Sequence, residues 1–112
     1  MTLIYKIMSR ADWARALADG DVPLAEVDRR DGYVHLSSAD QVLETARLYF
    51  AGRHDLIVAE FDAGDFGDDL KWEASRGGAL FPHVYGVLPA AKARRAAALV
   101  ASGDGFVIGD DL

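Results

Sequence analysis

The chain has 112 residues, 51% of them hydrophobic and 27% charged, a formal net charge of −6 and no cysteine. That balance fits one folded domain with its own core and excludes a disordered chain. The lack of cysteine excludes disulfides, thiolate catalysis and cysteine zinc sites, and the acidic charge excludes a general binder of nucleic-acid backbone.

A reducing, cytoplasmic setting fits a cysteine-free chain. The opening Met1-Thr2-Leu3-Ile4-Tyr5-Lys6 lacks the pattern of a signal peptide, and no apolar run approaches a membrane span. A small anionic ligand stays open, because it needs only one or two cations or backbone N–H groups.

Leu3 to Met8 reads as a strand. Ser9 is the expected N-cap of a helix carrying Trp13, Ala14, Leu17 and Ala18 at helical spacing and stopping at Gly20. Asp21 to Asp31 is polar, holds Pro23 and reads as a loop with a short extended piece. Tyr33 to Ser37 is the second strand. Ser38-Ala39-Asp40-Gln41 then fits a capping box ahead of a helix with Val42, Leu43, Ala46, Tyr49 and Phe50 on one face.

Asp55 to Asp62, with its apolar run Leu56-Ile57-Val58-Ala59, reads as a central buried strand. A Gly-punctuated turn covers Ala63 to Asp69. Leu70 to Ala74 alternates like a strand with one wet face, and Pro82 to Leu88 forms another strand. Pro89 is expected to open a helix running through the Ala-rich segment to Ser102, with Gly103 as terminator and Phe106-Val107-Ile108 as a last edge strand. The order β-α-β-α-β-β-β-α predicts an α+β domain over residues 1–112, with a curved, partly antiparallel sheet and peripheral helices.

Two of the three histidines lie inside apolar strands, where an unpaired polar ring is costly. Strand alternation puts Tyr33, His35 and Ser37 on one face, and Phe81, His83 and Tyr85 on one face of the later strand. If both strands line one cleft, His35 and His83 share a site able to hydrogen-bond a ligand and stack on a flat ring. The plainer alternative is that each histidine is a structural residue bonded to a backbone carbonyl. Ser37 and Ser38 sit where helix N-terminal amides can bind an anion, although Ser38 as a simple cap explains the same residues.

Glu73 follows Trp72, and partial desolvation of a carboxylate beside an indole would raise its pKa in a way that suits acid–base work. A solvated Lys71/Glu73 face is the alternative. Lys6 stands among apolar neighbours and either snorkels to the sheet edge or offers a cation to the cleft. His54, between Arg53 and Asp55, is expected on the surface. No histidine pair has helical zinc spacing, no metal is expected, and neither a Walker-A nor a G-x-S-x-G motif is present.

In these residues and their order, the chain resembles a bacterial domain-of-unknown-function family, DUF952. The matching pieces are Ile4-Tyr5-Lys6-Ile7, Asp31 to Ser37, Gln41 through Ala46, Leu70-Lys71-Trp72-Glu73 and Phe81 to Gly86. More distantly, Val34-His35-Leu36-Ser37 and the helix with Thr45-Ala46 are similar to a central motif of the tRNA 2′-phosphotransferases, members of the ADP-ribosyltransferase-like superfamily. That resemblance implies an ADP-ribosyltransferase-like fold, a cleft for NAD or a related nucleotide, and cleavage of the nicotinamide–ribose bond. Tyr5, Lys6, Ser37, Ser38 and Tyr85 would then bind the cofactor, with Lys6 and the Ser37 and Ser38 amides on its pyrophosphate. His35, His83 and Glu73 would be catalytic, Glu73 bonding the ribose. Lys6 stands where the superfamily carries a histidine, and its late-strand glutamate has no clear equivalent. Two other functions stay open: a non-catalytic module for a small metabolite or peptide, and a small hydrolase or isomerase using His35 and His83 as an acid–base pair.

Overall fold

A computed structural model describes residues 1–112. The strands are β1 (Leu3–Ser9), β2 (Val34–His35), β3 (Ser37–Ser38), β4 (Leu56–Asp62), β5 (Leu70–Ala74), β6 (Leu80–Val84), β7 (Arg95–Ser102) and β8 (Gly105–Asp111). The helices are α1 (Arg10–Asp19), α2 (Glu26–Asp31) and α3 (Val42–Tyr49). They form one α+β domain built on two sheets rather than the single curved sheet expected: a five-stranded sheet ordered β3-β1-β4-β7-β8 and a three-stranded sheet ordered β2-β6-β5. Every strand pairing is antiparallel.

Period-two alternation divides the core. One face of the large sheet presents Ile4, Met8, Ile57, Ala59 and Phe61, which pack with Trp13 of α1 and with Val34 and Val84 of the small sheet. The other face presents Tyr5, Ile7, Val58 and Leu99 and packs on Val42 and Ala46 of α3. β4 is the central strand, as its apolar run indicates. No helix is long and apolar enough to cross a membrane.

Three expectations are corrected. The expected loop between Asp21 and Asp31 contains α2, begun by the Asp28 carboxylate reaching back to the Ala25 N–H (2.9 Å) and ended by Gly32 at φ +86°. The expected strand Tyr33–Ser37 breaks at Leu36: His35 pairs with His83 in the small sheet, whereas Ser37 pairs with Tyr5 in the large one. One short segment thus belongs to both sheets.

The third correction is the Ala-rich segment, which is not a helix. Only a 3₁₀ turn at Ala90–Lys92 precedes β7, which pairs with β4 on one side and β8 on the other. Alanine favours helix in isolation, but β4 needs a neighbour, and Ser102-Gly103-Asp104-Gly105 closes a hairpin with Gly103 at φ +60°. Gly103 turns a hairpin instead of ending a helix.

A strand places neighbours on opposite faces, and Leu99 is 3% exposed while Val100 is 46% exposed. Leu99→Ala should therefore cost about 2–5 kcal/mol in urea unfolding, and Val100→Ala under about 1 kcal/mol. Equal large losses at both positions would contradict the strand.

Candidate functional site

β1 carries a lysine on the face it turns toward the small sheet, and the fold answers that charge from α2. Lys6 Nζ lies 3.0 Å from Asp28 Oδ2 and 3.3 Å from Oδ1, and it also donates to the His35 carbonyl at 3.0 Å. Both side chains are buried, Lys6 at 5% exposure and Asp28 at 1%. The same carboxylate accepts from the His35 backbone N–H at 3.0 Å and faces His35 Nδ1 at 2.8 Å. Burial pushes the Asp28 carboxyl up, but the Lys6 charge and the His35 and Ala25 donors outweigh it and hold the group below its usual range. Burial draws the Lys6 ammonium below its usual value, and the Asp28 charge opposes that.

The outer face of the small sheet collects the polar aromatics. His35 and His83 are direct cross-strand partners, with ring centroids 5.3 Å apart. Tyr33 stacks on His83 at 4.2 Å and lies 4.6 Å from His35 and 5.1 Å from Tyr85. The opposite face, with Val34, Val84 and Leu70, enters the core. The two-strand pairing expected from alternation is therefore present at Tyr33, His35, His83 and Tyr85.

The two imidazoles differ in what they touch. His35 faces carboxylates at both nitrogens, Asp28 at Nδ1 and Asp31 at Nε2 (3.0 Å). Carboxylates only accept, so both contacts are hydrogen bonds only when each nitrogen carries a proton. Asp31 is drawn down to about 2, first by its hydrogen bond from Arg30, with His35 adding to the effect. His83 meets a single carboxylate, Glu73 Oε1, at 2.8 Å from Nδ1. The His83 side chain is only 3% exposed, and its Nε2, which has no hydrogen-bond partner in the protein, keeps a trace of solvent contact.

Glu73 is corrected in one respect. Its carboxyl is held below the usual value, not raised, by hydrogen bonds from His83 and then from the Tyr85 hydroxyl at 2.7 Å. Trp72 is adjacent in sequence but points to the other face of the strand, so it does not desolvate Glu73. The Tyr85 phenol is pushed up to about 12, chiefly by that bond to Glu73.

A cleft of about 880 Å³ runs along β1, between the small sheet and α3. His35, Ser37 and His83 line it, whereas Glu73, Tyr85 and Ser38 do not. Tyr5 and Lys6 also border it but leave β1 on opposite faces. Tyr5 spends its hydroxyl on Glu60 Oε2 at 2.9 Å, and burial followed by that bond pushes its pKa up. Lys6 does not snorkel: its charge is committed to Asp28. Half of the expected capping box forms, with the Ser38 N–H donating to Gln41 Oε1 (3.0 Å), but the Ser38 hydroxyl bonds Asp40 rather than a helix N–H and α3 starts only at Val42. Lys6 and the Ser38 amide are thus already engaged and are poor pyrophosphate ligands. His54 is exposed, as expected.

Sequence reasoning missed Asp28, Asp31, Thr45 and Arg76. A lysine in an apolar strand does signal a buried carboxylate, but the chain has 18 acidic residues and nothing local selects Asp28.

A family model described as "Protein of unknown function (DUF952)" matches residues 7–96, and the chain belongs to this family. Among solved structures, the crystal structure of protein CC0527 from Caulobacter crescentus is 48% identical, with a TM-score of 0.89 over 94% of this chain and 92% of that one. The solution NMR structure of the same Caulobacter protein gives 48% identity and a TM-score of 0.84 over 95% of this chain and 91% of that one. No curated protein matches the chain. These likenesses establish the α+β fold and assign neither ligand nor reaction.

Removing one member of a buried ion pair leaves the other uncompensated. Asp28→Ala should cost about 3–5 kcal/mol in urea unfolding, and Lys6→Met combined with Asp28→Leu should recover only part of that loss, because the Ala25 and His35 N–H groups then lack an acceptor. Because the folded Asp28 carboxyl lies below its unfolded value of about 3.9, its contribution is present above that pH. It is lost as pH falls through the lower folded value. Wild type should therefore lose stability on acidification below about pH 4 more steeply than Asp28→Asn, as read by denaturant midpoints across pH.

Proposed function

We propose that this DUF952 protein is a small-molecule enzyme in which His83 moves a proton, oriented by Glu73. The observation that carries the reading is the division of the His83 ring: Nδ1 is held by a carboxylate at 2.8 Å, while Nε2 is unpartnered in a ring that lines the cleft. A carboxylate at Nδ1 favours the tautomer protonated there, which leaves the Nε2 lone pair free to accept a proton. Glu73 touches neither the cleft nor a reacting atom; it is a positioning residue. Tyr33, stacked on the ring, restricts its rotation.

No serine or threonine hydroxyl bonds to Nε2, so the proton would come from water or from the substrate itself. Either fits a hydrolase or an isomerase. His35 takes no proton in this scheme, because both of its nitrogens face carboxylates. It is a wall of the site rather than the second half of an acid–base pair.

A second reading, an ADP-ribosyltransferase-like domain that binds NAD or a related nucleotide, is supported by the cleft volume, which lies within the range of cofactor sites. Nicotinamide–ribose cleavage is less well supported, because Glu73 stands outside the cleft lining.

Turnover should be sought in a panel of small carboxylate and phosphate esters, followed by variants. His83→Ala should lower any turnover about 10²–10⁴-fold. Glu73→Gln should lower kcat and displace its pH profile while leaving KM largely unchanged. Turnover indifferent to His83→Ala would overturn the acid–base role. Calorimetric titration with NAD, ADP-ribose and AMP tests the second reading, which fails if millimolar ligand gives no heat.

A further inference from the structure

We infer that the Arg76 end of the cleft recognises a terminal oxyanion, a phosphate or carboxylate, on the small molecule that His83 acts upon. This rests on the proposed role of His83 and adds the class of substrate.

Four cations border the cleft: Lys6, Arg30, Arg53 and Arg76. Three are neutralised, Lys6 by Asp28, Arg30 by Asp31 and Arg53 by Asp55. Arg76 has no carboxylate partner. Glu44, whose carboxyl feels the Arg76 charge, is itself paired with Arg47.

Arg76 is held in place without being neutralised. It sits in the 3₁₀ turn Arg76–Gly78 at the tip of the β5–β6 hairpin, where Gly77 and Gly78 take positive φ and allow the tight reversal. Its guanidinium lies 4.8 Å from the Phe81 ring centroid and 5.8 Å from that of Tyr49. One nitrogen donates to Thr45 Oγ1 at 3.2 Å, and that oxygen is 3.1 Å from Ser37 Oγ. Whichever hydroxyl donates within the serine–threonine pair, one hydroxyl proton is left over, and Arg76 has donors to spare. This end therefore presents a positive charge and surplus donors with no acceptor to meet them. An oxyanion, which only accepts and pairs with guanidinium in a two-point fork, is the complement.

The spacing suits one small molecule. Phe81, beneath Arg76, and His83 lie two residues apart on the same face of β6, which is about 7 Å along the strand. An anionic head anchored at Arg76 would place a group a few bonds away beside Nε2. Since the whole chain carries −6, general attraction of anions does not produce such binding.

The test is an NMR titration of the intact protein with inorganic phosphate, acetate and succinate in separate arms. Saturable shifts are expected at Ser37, Thr45 and Arg76, including the Arg76 Nε–H, and the stronger arm tells phosphate from carboxylate. Arg76→Ala should weaken binding at least about tenfold, Arg76→Lys should weaken it less, and Arg95→Ala, an equal loss of charge paired with Asp111 elsewhere, should leave it unchanged. No saturable shift at tens of millimolar anion, or equal weakening by Arg76→Ala and Arg95→Ala, overturns the site. The measurement needs no turnover, so saturable anion binding at Arg76 together with turnover indifferent to His83→Ala sinks the catalytic reading alone.

Discussion

One carboxylate holds this structure to its shape. Asp28 meets a charged lysine from β1, the N–H that opens its own helix, and both the backbone and the ring of a histidine in β2. A lysine buried at the middle of a central sheet carries a desolvation cost of several kcal/mol, which is offset only if its partner is well placed and otherwise satisfied. Asp28 is. The requirement fixes where α2 must lie, and α2 in turn leads the chain into the small sheet at the angle that lets His35 meet His83. The unusual residue of β1 is thus a reason for the site's geometry rather than a ligand in it.

Around that anchor the two histidines take unequal parts. They are chemically identical and face each other across one pair of strands, yet His35 meets a carboxylate at each nitrogen with a quarter of its side chain exposed, whereas His83 meets one and is almost wholly buried. Asp31 occupies the second nitrogen of His35, and nothing occupies the second nitrogen of His83. Tyr33 lies close to both, stacked on His83 and tilted against His35. Under the proposed reading, what separates a wall from a working group is the environment the fold supplies, not the residue type.

Much of this was legible in the sequence wherever a two-residue period ran through a strand. Tyr33 and His35, and likewise Phe81, His83 and Tyr85, fall on shared faces for that reason alone. Short elements and distant partners were not legible. A helix of six residues gives too few turns for a periodic pattern, so α2 read as loop, and Asp28 with it. The alanines of β7 carry a strong helical preference and little side-chain pattern, and only the empty edge of β4 overrides it. Glu73 shows the limit most clearly: its neighbour in sequence, Trp72, says nothing about its surroundings, because in a strand adjacent residues occupy different worlds.

The crossing of residues 34–38 from one sheet to the other has a mechanical consequence. Jaws that close on a ligand need a hinge, a few residues free to absorb large changes in φ and ψ. Here the only residue between the two sheets along that path is Leu36, buried, with its N–H bonded to the Pro82 carbonyl at 3.1 Å and the preceding carbonyl gripped by Lys6. The peptide that joins His35 to Leu36 is thus held at both its carbonyl and its N–H, and that peptide does not swing. The angle at which the two sheets meet along this path is therefore set at folding, and under the proposed reading a ligand would meet cleft walls already in place. Little ordering is left to be done at encounter, and selection falls on the shape a molecule already has.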